Sequence, residues 1–304
     1  MKDRKAITQS GGVSLAWQSK AVLLTVAPWT AAQLVLEIHA WTRESVSVTW
    51  TTLAVCGILG LTVWRMRSGT LAAAGLGAAI MGCLMYATAQ SPYASLWRRG
   101  ALWPVLAVMV LTLAATRVGR ARKAALGFAE GQRGRNAAQV AANLGAAALV
   151  VTLGPLIPLI GPENPMFTAM LAYAALAEAA ADTVSSELGQ VFGGQPRLLT
   201  TLRRVAPGTD GGITIAGTAA GILAAAAVAA VGIWSMTGSV ASNWMGFGVI
   251  LLGGVFGLFF DSLLGATLER RGWMNNDAVN FLGTLSAAGF ALAVGKALAG
   301  FLRG

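Results

Sequence analysis

Apolar residues run along this chain in nine long stretches, at about 21–41, 46–64, 69–89, 101–117, 136–160, 165–181, 212–236, 244–265 and 277–301. Each is close to the ~20 residues an α-helix needs to cross a hydrocarbon core. The pattern predicts an all-α, polytopic transmembrane helical bundle of about nine spans. Glu37 and His39 near the end of the first span invite comparison with a signal peptide. That reading fits poorly, because the chain continues directly into further spans. Polar residues collect between spans, chiefly at about 118–135, 182–211 and 266–276. Connections of the opposite sense, such as Gly161-Pro162-Glu163-Asn164 and Gly238-Ser239-Val240, are short and poor in charge. One face is elaborated, so chemistry or docking is expected there.

Composition agrees: 56% of the 304 residues are apolar and 11% charged, against about 25% charged in soluble domains. A net charge of +10 raises nucleic acid as a partner, but its distribution argues for membrane topology instead. With nine spans, 17 Lys and Arg fall on the side of the N-terminus, while Arg43, Arg98, Arg99 and Arg303 fall on the other and Lys296 lies within the last span. The positive-inside rule then puts the N-terminus in the cytoplasm and the C-terminus outside. Attraction to anionic headgroups or phosphates is a compatible second role for the basic residues.

Cys56 and Cys83 sit in different spans and are expected to pack rather than to pair or bind metal. The lone histidine, His39, falls at the outer end of the first span, away from the other polar motifs, so it reads as an interfacial polar residue rather than as half of a Ser–His or Cys–His catalytic pair. Gly217-Thr-Ala-Ala-Gly221 and Gly254-Val-Phe-Gly257 place small residues where helices can approach closely.

Twelve acidic residues are few enough for their positions to matter, and Glu178, Asp182, Glu187, Asp210, Asp261, Glu269 and Asp277 fall at or beside the inner ends of the last four spans. A carboxylate at mid-bilayer costs about 2.5–3.5 kcal/mol, so it is retained only with a partner or a use. Glu178 and Asp182 share a helix face at i, i+4. Like charges so gathered need a cation or protonation. Mg²⁺, which takes one or two carboxylates and leaves other positions to water and phosphates, meets that need; pairing with the many arginines is the simpler alternative.

Three further stretches carry polar chemistry. Pro207-Gly-Thr-Asp-Gly-Gly-Ile-Thr214 precedes a span, with glycines that let the backbone present its amides and a helix start that favours anions. It matches neither nucleotide-loop fingerprint and, alone, is equally a turn; neighbouring Arg203 and Arg204 add guanidinium groups suited to phosphate. Arg135, Gln139 and Asn143 recur at i, i+4 and i+8 as a polar stripe, either interhelical glue or a grip on headgroup or nucleobase. Asp277, Asn280 and Thr284 share a face of the last span, with Asn276 a candidate N-cap.

Asp182-Thr-Val-Ser-Ser-Glu-Leu-Gly189, Pro207-Gly-Thr-Asp-Gly-Gly212, Asp261-Ser-Leu-Leu-Gly-Ala-Thr-Leu268 and Asn275-Asn-Asp-Ala-Val-Asn280 together resemble an integral membrane family long known as a domain of unknown function. That family includes the plant phytyl-phosphate kinase and human transmembrane protein 19. Thr116-Arg-Val-Gly-Arg120 through Asn143 is similar to its cytoplasmic loop and following helix. The resemblance covers about 58–304, leaving 1–57 as an N-terminal segment with about two extra spans; Val184-Ser185 departs from the family's Trp-Ala. A looser similarity extends to CTP-using polyprenol and phytol kinases.

The resemblance implies Mg²⁺-dependent transfer of a phosphoryl group from CTP or ATP to an isoprenoid monophosphate. On that reading Asp182, Glu187 and Asp261 hold Mg²⁺, with Asp277 a possible fourth ligand. Asp182, Asp261 and Arg135 act at the reacting phosphates. Gly208, Thr209, Asp210, Gly211 and Gly212 cradle donor phosphates with Arg203 or Arg204. Arg120, Lys123 and Arg135 neutralise the acceptor, and Gln139, Asn143 and Asn280 orient nucleotide or headgroup. A phosphate monoester with second pKa near 6 is already dianionic, so no strong base is needed. The alternatives are a lipid or small-molecule transporter or flippase, a CDP-lipid-forming cytidylyltransferase and a polyprenol kinase. A transporter should carry polar residues towards both faces, whereas these gather at one.

Overall fold

The computed structural model describes residues 15–89, 100–120, 123, 134–158, 160 and 164–301. Each of the nine apolar stretches forms a helix: α1 Trp17–Glu44, α2 Val46–Arg65, α3 Leu71–Ala87, α4 Leu102–Arg117, α5 Ala137–Leu153, α6 Pro165–Phe192, α7 Ile215–Thr237, α8 Trp244–Leu264 and α9 Asn276–Phe301. By length and composition α1, α2, α5, α7, α8 and α9 can each cross a membrane, α5 and α8 together with adjoining helical turns; α3 and α4 are apolar but shorter. The protein is a polytopic α-helical membrane protein. Among the basic residues behind the expected topology, Lys2, Arg4, Lys5, Arg98, Arg99, Arg122, Arg133 and Arg303 lie outside the described residues.

Polar side chains mark where these helices begin. Ser45, Thr70, Asn136, Asn164, Thr214 and Asn243 each accept an amide of the first turn of the helix that follows. Caps matter here, because an amide left unpaired at membrane depth has no water to turn to. Asn275, one residue before the expected Asn276, caps α9 by accepting the Ala278 amide at 3.0 Å. Asn276 is thereby released to face a cavity.

The central element is α6, which packs against α4, α5, α7, α8 and α9. Every residue from Leu171 to Ala181 is buried, including Glu178 at 1% exposure. A helix enclosed on all sides can tolerate polar residues, because no face of it meets lipid. It must also be thin, and alanine at positions 172, 174, 175, 177, 179, 180 and 181 makes it so. Glycines supply the other half of each contact. A Cβ at Gly254 would lie 2.9 Å from Ala177 Cβ, and one at Gly221 would lie 2.8 Å from the Ala181 carbonyl oxygen. The two small-residue motifs of α7 and α8 therefore work as expected, bringing helices into near backbone contact.

One boundary differs in a way that matters. The apolar pattern ends the sixth span at 181, but α6 continues to Phe192. Asp182 to Glu187 lies on a helix rather than in a loop. The apolar stripe stops there because the helix face turns to a polar cavity, not because the helix stops. After α6, a two-stranded hairpin pairs Arg197–Leu198 with Gly212–Ile213 antiparallel, Arg197 opposite Ile213. It hangs the Pro207–Thr214 loop over the end of the bundle.

Replacing Gly253, whose added Cβ would lie 2.8 Å from the Ala287 carbonyl oxygen and 2.9 Å from Ala174 Cβ, tests this packing away from any cavity. Gly253→Val should destabilise the bundle by about 1–3 kcal/mol, read as a lower thermal unfolding midpoint in detergent; an unchanged midpoint would refute close packing of α6, α8 and α9.

Candidate functional site: two adjoining cavities at one end of the bundle

Where α6 emerges from its sheath, Asp182, Ser186 and Gln190 follow one another at i, i+4 and i+8 along one face. This face meets the start of α5, the Pro207–Thr214 loop, the end of α8 and the start of α9 around a polar cavity of ≈ 360 Å³. Its lining includes Arg135, Gln139, Asn143, Asp182, Glu187, Asp261 and Asn280, together with Gly208, Thr209, Asp210, Gly211, Gly212 and Glu269. Residues from four separate sequence motifs thus converge on one space.

Local structure explains each arrival. Arg135 is pinned by its backbone to the turn before α3: its amide donates to the Ser68 carbonyl at 3.1 Å, and its carbonyl accepts from Thr70 at 2.9 Å. Gln139 closes a capping box with Asn136, its Oε1 accepting the Asn136 amide at 2.9 Å. Asn143 Nδ2 donates to the Gln139 carbonyl at 2.8 Å. The polar stripe is therefore partly helix scaffolding, and all three of its residues line the polar cavity.

The glycine loop is held against α8 by backbone proximity. Gly208 and Gly211 adopt φ of +79° and +70°, a region that favours glycine. A Cβ at Gly211 would collide with the Ala266 backbone nitrogen. Within the loop, the Thr209 and Gly212 amides donate to Ala206 and Thr209 carbonyls at 3.2 and 2.9 Å. Thr209 and Gly212 thus shape the turn, and all five residues from Gly208 to Gly212 line the cavity beside the capped start of α7.

The carboxylates form a chain in mutual electrostatic reach: Glu178 with Asp261 and Asp182, Asp182 with Asp261 and Glu269, and Glu269 with Asp210. Arg135 acts electrostatically on Asp182. Asp261 is 9% exposed, and its Oδ2 accepts no hydrogen bond; the same is true of Glu178 Oε1. Both oxygens face the bare Cα of Gly283 on α9, where a Cβ would lie 2.7 Å from Glu178 Oε1 and 3.1 Å from Asp261 Oδ2. A buried carboxylate oxygen with no donor is costly as an anion unless a proton or a cation offsets its charge.

Other expected site residues lie elsewhere. Asp277 does not line the cavity: its Oδ2 accepts from Ser19 Oγ of α1 at 2.5 Å, and Ser19 in turn accepts from Asn275 Nδ2 at 2.8 Å. Arg203 and Arg204 are exposed and outside the lining, on the hairpin. Lys123 and Glu187 pair with each other at 2.5 Å. Lys123 Nζ also donates to the Ala115 and Thr116 carbonyls at 3.0 and 2.8 Å, near the end of α4. Among the described residues no three acidic, histidine or cysteine side chains group closely enough to hold an ion by themselves.

A second cavity, of ≈ 650 Å³, has no counterpart in the sequence reading. It lies between α2, α3 and α4 and borders α5 and α6. α4 leans on α6 and α7 and barely touches α3, which leaves the space open. Its depths are Leu59, Val63, Ala78, Met81, Val105 and Leu106, and its rim holds Arg67, Arg117, Arg120, Lys123 and Arg135. Arg135, Asn143 and Glu187 line both cavities. Ser186 and Gln190 were also missed. Their i+4 and i+8 spacing from Asp182 marks them as soon as α6 is carried past residue 181.

A polar cavity at one end of a helical bundle thus adjoins a larger, more apolar one in a polytopic membrane protein. The chain belongs to the integral membrane protein family DUF92, whose profile matches residues 54–288. It is 32% identical over 212 residues to an uncharacterized membrane protein of Synechocystis, covering 66% of this chain and 76% of that one. An uncharacterized membrane protein of Methanocaldococcus jannaschii is 42% identical over 118 residues, covering 38% of this chain and 48% of that one. The chloroplastic protein VTE6 of Arabidopsis thaliana is 30% identical over 183 residues, covering 59% of this chain and 53% of that one. The chain thus spans about half the length of the latter two. No solved structure matches it.

The Lys123–Glu187 pair joins the two cavities and can be tested by stability alone. Removing one partner of a fully buried pair costs about 3–5 kcal/mol. Because the Glu187 side chain keeps 18% exposure against 3% for Lys123, Lys123→Met should cost less, about 2 kcal/mol. Lys123→Met with Glu187→Leu should recover most of that loss in thermal unfolding, and no recovery would show that the pair is not what Lys123 supplies.

Proposed function

We propose that this protein transfers the terminal phosphoryl group of a nucleoside triphosphate, CTP or ATP, to the phosphate of an isoprenoid monophosphate, giving the prenyl diphosphate. The observation that carries the reading is the junction of the two cavities at Arg135, Asn143 and Glu187. One cavity is polar, acid-lined and glycine-walled; the other is apolar with a basic rim. A triphosphate suits the first and a lipid phosphate the second. The resemblance to the family of the plant phytyl-phosphate kinase points to the same chemistry.

Phosphoryl transfer asks a protein mainly for alignment and charge neutralisation. The donor phosphates lie against the amides of Gly208 and Gly211 and the start of α7. The acceptor phosphate rests at the basic rim, near Arg120 and Arg135. An acceptor oxygen attacks the terminal phosphorus, the P–O bond to the donor breaks, and the nucleoside diphosphate leaves with the electron pair. Being already dianionic, the attacking group gives up no proton in the step.

Asp182 and Asp261 fit a Mg²⁺ requirement, since Asp261 Oδ2 is buried without a donor and Mg²⁺ needs only one or two carboxylates when phosphates complete its shell. When bound, the ion would screen phosphate charge. Glu187, already paired with Lys123, is assigned to positioning that lysine, and Asp277 to holding α1 on the start of α9. Gln139, Asn143, Gln190 and Asn280 orient the nucleotide and headgroup. On this reading the polar end faces the cytoplasm, in keeping with the excess of Lys and Arg that the sequence carries on that side.

Purified protein in detergent, given Mg²⁺, γ-labelled CTP or ATP and prenyl monophosphates, should yield labelled prenyl diphosphate. Asp182→Asn and Asp261→Asn should each lower transfer about a hundredfold or more without loss of expression or folding. Full activity in both variants would overturn the assignment, and a CDP-lipid product would replace it with nucleotidyl transfer.

A further inference from the structure

We infer that the larger cavity measures the hydrocarbon tail of the lipid phosphate, with Met81 and Leu106 as the stop at its closed end; this rests on the acceptor reading above. The cavity runs lengthwise in the bundle. Along α4 its lining extends from Arg117 at the basic rim to Val105, about 18 Å of helical rise. That is more than half the ~30 Å thickness of a hydrocarbon core, so it is a slot for a chain rather than a pocket for a headgroup. Charge complementarity selects the occupant: the cations stand at one end only, with Ser68, Thr116, Asn143 and Glu187 near them, and beyond Thr112 the lining towards Met81 and Val105 is apolar.

The far end is closed by a separate buried cluster. Met81 is 4% exposed and packs with Cys56, Met85 and Leu102, with Leu59, Ala78, Val105 and Leu106 around them. Cys56 Sγ and Met85 Sδ are 3.9 Å apart behind it. A tail that enters phosphate-first at the rim therefore meets packed side chains, not open bilayer. Methionine suits a stop of this kind, being unbranched and able to refill an irregular gap. None of these residues touches the polar cavity, so altering them changes the length of the slot and leaves the phosphate site intact.

The test reads binding of prenyl monophosphates of two to five isoprene units to purified protein without nucleotide, by ligand-dependent thermal stabilisation and native mass spectrometry. The wild type should bind best at one length, with at least tenfold weaker binding one unit beyond it. Met81→Ala, or Leu106→Ala should the first variant fold poorly, moves that limit to a longer tail, and Met81→Phe moves it to a shorter one. Binding that is indifferent to tail length, or a limit unmoved in every folded variant, overturns the gauge while sparing the acceptor reading. No binding of any prenyl phosphate overturns both. A shifted limit in protein that transfers no phosphoryl group supports the gauge and removes the kinase chemistry.

Discussion

Everything at the working end of this molecule depends on keeping carboxylates inside a membrane bundle. Glu178, Asp182 and Asp261 sit at or next to long apolar stretches of their helices. Each would cost a few kcal/mol if it met lipid. The bundle avoids that cost by burying α6 among five neighbours, so that its acids see only protein and cavity. The arrangement demands small residues. Glu178 Cγ would be 2.5 Å from a Cβ on Gly257, and Gly283 is the bare patch of backbone that Glu178 and Asp261 both face. Any side chain at these glycines would push the acids apart or unseat a helix.

From this follows a division of labour between the two cavities. Acids and glycines collect where α6, α8 and the hairpin loop meet; basic groups collect where α2 and α4 end and α5 begins. The Lys123–Glu187 pair stands between these fields, anchored to carbonyls at the end of α4. It keeps one acid of the polar side and one base of the other in fixed relation. Most acids thereby lie on one side of the boundary between the cavities and most cations on the other. The N-terminal helix adds a brace from outside the family-matched region. Ser19 ties down Asp277 and Asn275, and these set the start of α9 that brings Asn280 to the cavity.

Much of this was legible along the chain because membrane constraints are local. A stretch of about twenty apolar residues has few structural options, and an acid within one has few places to point. Hence helices over the apolar stretches of the described residues, the polar end and the convergence of Asp182, Asp261, Arg135, Gln139, Asn143 and Asn280 on one cavity could be anticipated. Local pattern misled wherever the environment changed without the backbone changing. α6 runs past Ala181 to Phe192 because a cavity, not a loop, lies beside its polar face. Asp277 looked like a ligand because it follows two asparagines and precedes Asn280, but its partner lies 258 residues away in α1.

The amino-acid sequence by itself determined the class of protein, the helices, which end is polar and which acids are buried, since hydrophobic transfer and helix capping act over a few neighbouring residues. Tertiary structure alone decided which charges pair, which amides of the glycine loop remain for a ligand, and that an apolar chamber opens between α2, α3 and α4. Those outcomes depend on where helices distant in the chain come to touch. A void in particular has no signature along the sequence: it exists because α4 leans away from α3, and no single residue records that angle.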